Sequence, residues 1–209
     1  MDAATTSGRT RALVWLSRWR IDVAWIALAA LPFVHPTGRS ILTYLPVVGA
    51  GLLVRLWARG HLDRGRLLIT TTGPYALVRH PLYVGSFLMG LGFALMARSP
   101  ILVLVFAVVF VVMYVPKALR EEAFLAERFG AEHARYVARV GALVPKPRHV
   151  SRDAIRGFEW RRVVRHREWK TWVGVAVAAA LLWLRALVPG LLVAGHFATT
   201  LSARAQYWG

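Results

Sequence analysis

A chain of 209 residues with a net charge of +17, 57% hydrophobic residues and a mean hydropathy of +0.48 carries more apolar surface than one soluble core can bury, which points to an all-α, multi-pass integral membrane protein. It contains no cysteine, which excludes disulfides, thiolate metal sites and thiol nucleophiles. The basic residues lie between apolar runs, the distribution that membrane orientation and anionic headgroups produce, so the expected partner is a bilayer and not nucleic acid.

Residues 1–20 carry Arg9, Arg11, Arg18 and Arg20 and precede a first apolar run, Ile21 to Val34. Pro32 interrupts that run and no small-residue cleavage pattern follows, so it reads as a retained span and not as a removed signal. His35-Pro36-Thr37-Gly38 is a turn signal, and Ile41 to Ala58 is the second span. Its one charge, Arg55, would cost roughly 2.5 to 3.5 kcal/mol at mid-bilayer. It lies near the Arg59 end, however, and is expected to snorkel to the interface as an anchor.

Residues 59–81 form a polar connection holding Arg59, His61, Asp63, Arg64, Arg66 and Arg79. Pro81 to Ala97 is the third span, and its glycines at 85, 90 and 92 invite close packing by a neighbouring helix. Ala97-Arg98-Ser99-Pro100 is a tight turn into a fourth span, Ile101 to Val115, so spans three and four form a helical hairpin. From Pro116 to Lys170 there are 14 Lys or Arg and 7 Asp or Glu, too many charges for a span. This stretch opens with an amphipathic helix in which Leu119, Phe124, Leu125 and Phe129 recur at helical spacing. Gly130 should break it, with a second short helix carrying Tyr136, Val137 and Val140 before Pro145 and Pro147. Residues 153–170 read as a basic amphipathic segment with Phe158, Trp160, Val163 and Val164 facing lipid. A fifth span runs from Thr171 to Val188. Beyond Pro189-Gly190, residues 191–198 are a kinked continuation, a re-entrant piece or a sixth span.

The chain thus divides into a two-span segment (1–58), a core (59–147) and a basic segment with a C-terminal span (148–209). The basic stretches at the N-terminus, 59–80 and 117–170 alternate with 35–40 and 98–99, which hold one arginine each. The positive-inside rule therefore places the basic stretches in the cytoplasm. Heavy use of alanine, arginine and valine without cysteine points to a bacterial inner membrane.

The chemistry gathers at Gly73 to Gly85. Pro81 suits the first position of a helix, so His80 marks the helix start, where unpaired N–H groups and the helix dipole favour an anion and Arg79 adds a positive charge. His80 and Tyr83 share one helix face, which Phe87 continues. The hairpin brings Glu121 and Glu122 to the same side. Being adjacent, they point apart: one should face a ligand while the other pairs with Lys117, Arg120 or an arginine of the 135–152 region. A cationic seat beside an anionic one suits a zwitterion such as an α-amino acid group. S-adenosylmethionine ends in that group, and the faces of Tyr75 and Tyr83 suit its sulfonium. The residues alone do not select this cofactor from others.

The order G-P-Y-x-x-x-R-H-P-x-Y-x-G at Gly73 to Gly85, then Glu121-Glu122, then F-G-x-x-His-x-x-Y-x-x-x-V at Phe129 to Val140 and a closing Pro145, resembles the isoprenylcysteine carboxyl methyltransferase family and its phospholipid methyltransferase relatives over residues 50–147. The resemblance implies a membrane enzyme that binds S-adenosylmethionine at its cytoplasmic face; the expected acceptor is a carboxylate, thiol or amine of a lipid or small hydrophobic molecule, and direct displacement requires no metal. It implies a cofactor site of Gly73, Tyr75, His80, Pro81, Tyr83, Glu121 and Glu122, and Arg79 is the residue expected to orient the acceptor. His133 departs from the tyrosine usual there, Thr70-Thr71-Thr72 is one residue longer than the usual approach, and residues 150–209 extend past the core. In that extension Trp160, Arg161, Arg162, His166, Arg167, Trp169 and Trp172 read as an interfacial belt. The alternatives are a membrane reductase of the sterol-reductase kind using NADPH, against which the Glu121-Glu122 pair argues, and a non-catalytic lipid-binding scaffold.

Overall fold

The computed structural model describes residues 34–62, 69–146 and 157–207, with side chains up to residue 188; the first apolar run, but for Val34, lies outside the described residues. Helix α1 (Gly38–His61) begins at Thr37, whose Oγ1 accepts from the Ser40 N–H while Ser40 Oγ accepts from the Thr37 N–H, a reciprocal cap that the turn-rich stretch before it makes possible. Ser40 Oγ also donates to the Met96 carbonyl at 3.0 Å and so ties the start of α1 to the end of α2 (Pro81–Met96). At 16 residues α2 is apolar but shorter than the roughly 20 that cross a bilayer. A turn ends it, with Arg98 at φ 56.

Helix α3 (Pro100–Arg139) opens on a Ser99 cap and runs for 40 residues. Proline removes only its own N–H from the ladder, and the helix passes through Pro116 without ending there, so the fourth span and the amphipathic helix are one element. Gly130, at φ 45, supplies the expected break. After α4 (Trp160–Arg165) comes α5 (Trp169–Tyr207), which continues helically through Pro189 and Gly190 and resolves the three alternatives for residues 191–198 in favour of a continuation. By length and composition α1, α3 and the Trp169–Val188 part of α5 can each cross a membrane, and no named strand occurs among the described residues. The protein is an all-α integral membrane protein.

The expected use of glycine for close packing is borne out at the crossing of α1 and α2. A Cβ on Gly51 would stand 2.6 Å from the Gly85 carbonyl oxygen, and one on Gly85 would stand 2.7 Å from that of Gly51. Gly92 meets Val48, and Gly90 leaves room for the Phe106 ring of α3. With no hydrophobic effect to drive helices together in lipid, this backbone approach is what holds α1 against α2.

The basic segment before α5 differs from its expected place on the lipid. Val163 is buried, and Phe158 packs edge-on against His61 and over Gly60. The physical reason is the C-terminus of α1, whose last carbonyls lack partners within the helix. Arg162 Nη1 donates to the His61 carbonyl, His166 Nε2 to that of Leu62, and the Glu159 N–H to that of Gly60. Basic side chains at a helix C-terminus are also favoured by its dipole. Trp160, Val164 and Trp169 remain exposed, as an interfacial belt requires.

Gly85→Leu places a side chain where the α1 backbone stands and is expected to cost about 3 kcal/mol or more. Loss of the monodisperse peak in detergent size-exclusion chromatography is the expected result; Gly174→Leu, where a Cβ meets nothing within 4 Å, should leave that peak intact.

Candidate active site

The loop before α2 is held by the far end of α3. It contains a 3₁₀ turn, Gly73–Ala76, entered by Gly73 at φ +61 with the His61 ring filling the space a Cβ would need. Its backbone then pairs with the residues after α3: the Arg79 N–H donates to the Gly141 carbonyl at 2.8 Å and the His80 N–H to that of Ala142 at 3.0 Å. Tyr136 Oη donates to the Tyr75 carbonyl at 2.7 Å. The Arg79 and His80 N–H groups beside the helix start are therefore occupied by carbonyls of the chain itself, and the Tyr83 N–H donates to the His80 carbonyl.

Glu122 is the hub. Its Oε1 accepts from Arg79 Nε and from His80 Nε2, each at 2.7 Å, and Arg79 Nη1 donates to the Val140 carbonyl at 2.6 Å. A carboxylate can only accept, so His80 carries its proton on Nε2. The expected base partners of the glutamate pair are thus replaced by Arg79, which the loop places closer than Lys117, Arg120 or the later arginines. Glu122 lies beyond the apolar part of α3; burial pushes its carboxyl up, but the Arg79 and His80 hydrogen bonds and charges outweigh this and hold it below the usual carboxylate range. His133 brings Nε2 to 3.2 Å from Glu122 Oε2 without the alignment of a hydrogen bond, so this buried nitrogen keeps its hydrogen-bonding capacity.

Glu121 points the other way, as adjacency requires. Its Oε2 accepts from Tyr83 Oη at 2.8 Å, and the side chain is half exposed. His80 and Tyr83 share a face and stack with centroids 5.2 Å apart and planes 9° apart, and Phe87 continues that face against Phe106 and Phe110. Burial pushes the Tyr75 phenol well above its ordinary range, so it stays neutral.

Two cavities meet here. One, of about 390 Å³, lies toward Thr70, Phe124, Arg128, Phe129 and His133; the other, of about 430 Å³, lies toward Arg55, Arg59, Ser86, Tyr114 and Lys117. Tyr75, Arg79, His80 and Glu121 line both and form the wall between them. A larger cavity of about 930 Å³ opens at the other end of α1 among Thr37, Ser40 and Arg98, with none of the motif residues in its lining.

Sequence reasoning missed Arg55, Arg59 and Glu168. Arg55, read as an interfacial anchor, has partners within the protein: its Nε meets Glu168 Oε1 at 2.7 Å and its Nη1 donates to Ser86 Oγ at 2.7 Å, while Arg59 Nε meets Glu168 Oε2 at 3.0 Å. Glu168 is 2% exposed and needs both cations, because a buried carboxylate without partners is expensive. The detectable signal was the spacing of Arg55 and Arg59 on one helix face; their partner, more than a hundred residues on, was not marked by any pattern.

The phospholipid methyltransferase family model matches residues 60–132, which hold the loop, the hairpin and both glutamates. The chain is 35% identical over 136 residues to the cobalt-zinc-cadmium resistance protein CzcN of Cupriavidus metallidurans, covering 61% of this chain and 62% of that one. It is 36% identical over 131 residues to the nickel-cobalt-cadmium resistance protein NccN of Alcaligenes xylosoxydans, covering 62% and 55%. Over 78 residues it is 35% identical to the protein-S-isoprenylcysteine O-methyltransferase of Schizosaccharomyces pombe, covering 37% and 33%. The chain therefore spans about three fifths or less of the curated relatives it matches. These matches bear out the resemblance to the membrane methyltransferases of the isoprenylcysteine and phospholipid kind.

Removing the hub should loosen the loop. Glu122→Ala leaves the Arg79 guanidinium and the His80 N–H without their acceptor and is expected to lower stability by about 1–3 kcal/mol. A thermal unfolding midpoint in detergent unchanged from that of the parent would contradict the role given to Glu122.

Proposed function

We propose that this chain is an S-adenosylmethionine-dependent membrane methyltransferase, with the cofactor in the cavity bounded by Tyr75, His80, Glu121 and Phe129 and a lipophilic acceptor on the other side of the shared wall. The observation that carries it is the pair of cavities meeting at Tyr75, Arg79, His80 and Glu121 within a family-matched stretch. A volume of about 390 Å³ is in the range of cofactor pockets. The donor set also fits: Glu121, half exposed, suits an ammonium, and Arg128 suits a carboxylate in place of the committed N–H groups of the loop. Tyr75 and Phe129 offer aromatic faces to an adenine ring or a sulfonium, whereas Tyr83 lines the other cavity. The buried His133 Nε2, lacking an aligned partner, suits one further polar group of the ligand.

When bound, S-adenosylmethionine supplies an electrophilic methyl group. The chain's own part is to hold and orient. Gly73 and Pro81 shape the turn and the helix start, Glu122 fixes Arg79 and His80, and Glu121 takes the ammonium. Arg79 orients an anionic acceptor from the wall between the cavities. A carboxylate or thiolate acceptor needs no base, whereas an amine must lose a proton, to His80 or one of the two glutamates. Alignment of two bound partners converts a bimolecular encounter into a unimolecular step, worth roughly 7 to 11 kcal/mol at best. In this reading the site faces the cytoplasm at a bacterial inner membrane, and the basic loops support the cytoplasmic side. Among the described residues no three His, Cys, Asp or Glu side chains are grouped to hold a metal ion.

Isothermal titration of the detergent-solubilised protein with S-adenosylhomocysteine should show micromolar binding. Glu121→Gln, which keeps a partner for Tyr83 Oη, should weaken it about tenfold, the loss of one charge-assisted contact. No binding to folded parent protein would overturn the methyltransferase proposal.

A further inference from the structure

The second cavity has a chemistry of its own. Arg55, Arg59, Arg79 and Lys117 line it, and Glu121 is the one carboxylate in its lining. Behind it Glu168 faces Arg55 and Arg59, and Glu122 faces Arg79. Four cations thus meet three carboxylates, leaving one positive charge in surplus. Among the described residues Lys117 faces rings in place of a carboxylate: its Nζ stands 5.3 Å from the Tyr83 centroid and 5.9 Å from that of Tyr114. Those two tyrosines also form one end of an apolar groove of about 340 Å³, which continues along Phe87, Phe110, Val111 and Val144.

We propose that this cavity binds the monoanionic headgroup of a membrane amphiphile, a carboxylate or a phosphodiester, with its hydrocarbon chain in the groove beyond Tyr83 and Tyr114. The surplus charge selects one negative charge and disfavours an amine. The buried Glu168 holds Arg55 and Arg59 by their Nε atoms, and Arg55 also gives its Nη atoms to Ser86 and Thr171, so both cations are fixed at the cavity in advance, which lowers the ordering cost of binding. Lys117 stands at the junction of cavity and groove, where head and tail of such a molecule join, and the groove offers that tail almost no polar surface. Calling this amphiphile the methyl acceptor rests on the function proposed above; binding of the anion does not.

Native mass spectrometry of the full chain in a nonionic detergent tests this with dioleoylphosphatidylglycerol, oleate, dioleoylphosphatidylcholine, oleylamine and inorganic phosphate. Phosphatidylglycerol and oleate should each be retained as a single molecule, in preference to phosphatidylcholine and oleylamine, and phosphate should not be retained. Lys117→Gln and Arg59→Gln should each weaken retention about five- to tenfold, the loss of one charge-assisted contact. Arg161→Gln, the same charge change at an exposed position outside the cavity, should not. Lys117→Gln removes no ion-pair partner seen here, so it decides the matter even where Arg59→Gln fails to fold. Equal retention of phosphatidylcholine or oleylamine, retention of phosphate alone, undiminished binding by Lys117→Gln, or an equal loss in Arg161→Gln would each overturn the proposal. S-adenosylhomocysteine titration of the same variants separates the two proposals: anionic lipid retained without cofactor binding leaves the anion site standing and removes the methyl transfer.

Discussion

The site depends on one carboxylate. Glu122 takes two hydrogen bonds on a single oxygen, from Arg79 and His80, while its other oxygen faces His133. Among its described residues, the loop that carries Arg79 and His80 has no helix or strand beyond one 3₁₀ turn, so its shape there must come from what it is tied to. Glu122 supplies the side-chain tie and residues 141–142 supply the backbone tie. From there the geometry propagates: His80 placed by Glu122 stacks on Tyr83, and Tyr83 placed by that stack and by α2 offers its hydroxyl to Glu121. Adjacent glutamates on one helix thereby acquire different tasks, one closing the loop and one left half exposed to a cavity.

A second constraint acts on the far wall. Gly51 and Gly85 let the α1 and α2 backbones approach, and a Cβ on Gly85 would also meet the Arg55 side chain. That approach brings Arg55 within reach of Ser86, one residue past the crossing. The arginine could not stay in an apolar helix without an anion nearby, and Glu168 answers this from the turn between α4 and α5. The same turn region closes the C-terminus of α1 through Arg162 and His166, so one segment satisfies both the helix end and the charge inside the helix.

What was legible in the sequence follows from how local each signal is. The second to fifth apolar runs, the turn signal at His35 to Gly38, the Gly130 break and the i to i+3 pairing of His80 with Tyr83 are properties of a few neighbouring residues, and each appears where those residues put it. The hairpin then brought the two glutamates to the loop, because only one short turn separates α2 from α3. Partner choice was less legible. Arg79 displaces Lys117 and Arg120 as the partner of Glu122 because a loop, with no periodicity to read, sets the distance. Arg55 looked like an interfacial anchor because hydropathy counts a charge without its counter-ion, and Glu168 lies far along the chain in a stretch whose arginines and tryptophans suggested lipid. Backbone donors at the start of α2 looked free because pairing with residues 141–142 is a single bridge that leaves no strand pattern.

The two cavities draw on different parts of the chain. The lining of the proposed cofactor cavity falls almost wholly within residues 60–132, with His133 and Tyr136 just beyond. The proposed headgroup cavity takes Arg55 and Arg59 from before that stretch, and these are held by Glu168 from well after it. In the proposed reading one cavity holds the methyl donor and the other the acceptor, and these are separate requirements. The arginines on α1 and their carboxylate before α5 are tied to one another, apart from Glu122 and the loop it holds. The wall of Tyr75, Arg79, His80 and Glu121 is where the two requirements meet, which is why its residues must be fixed from both sides.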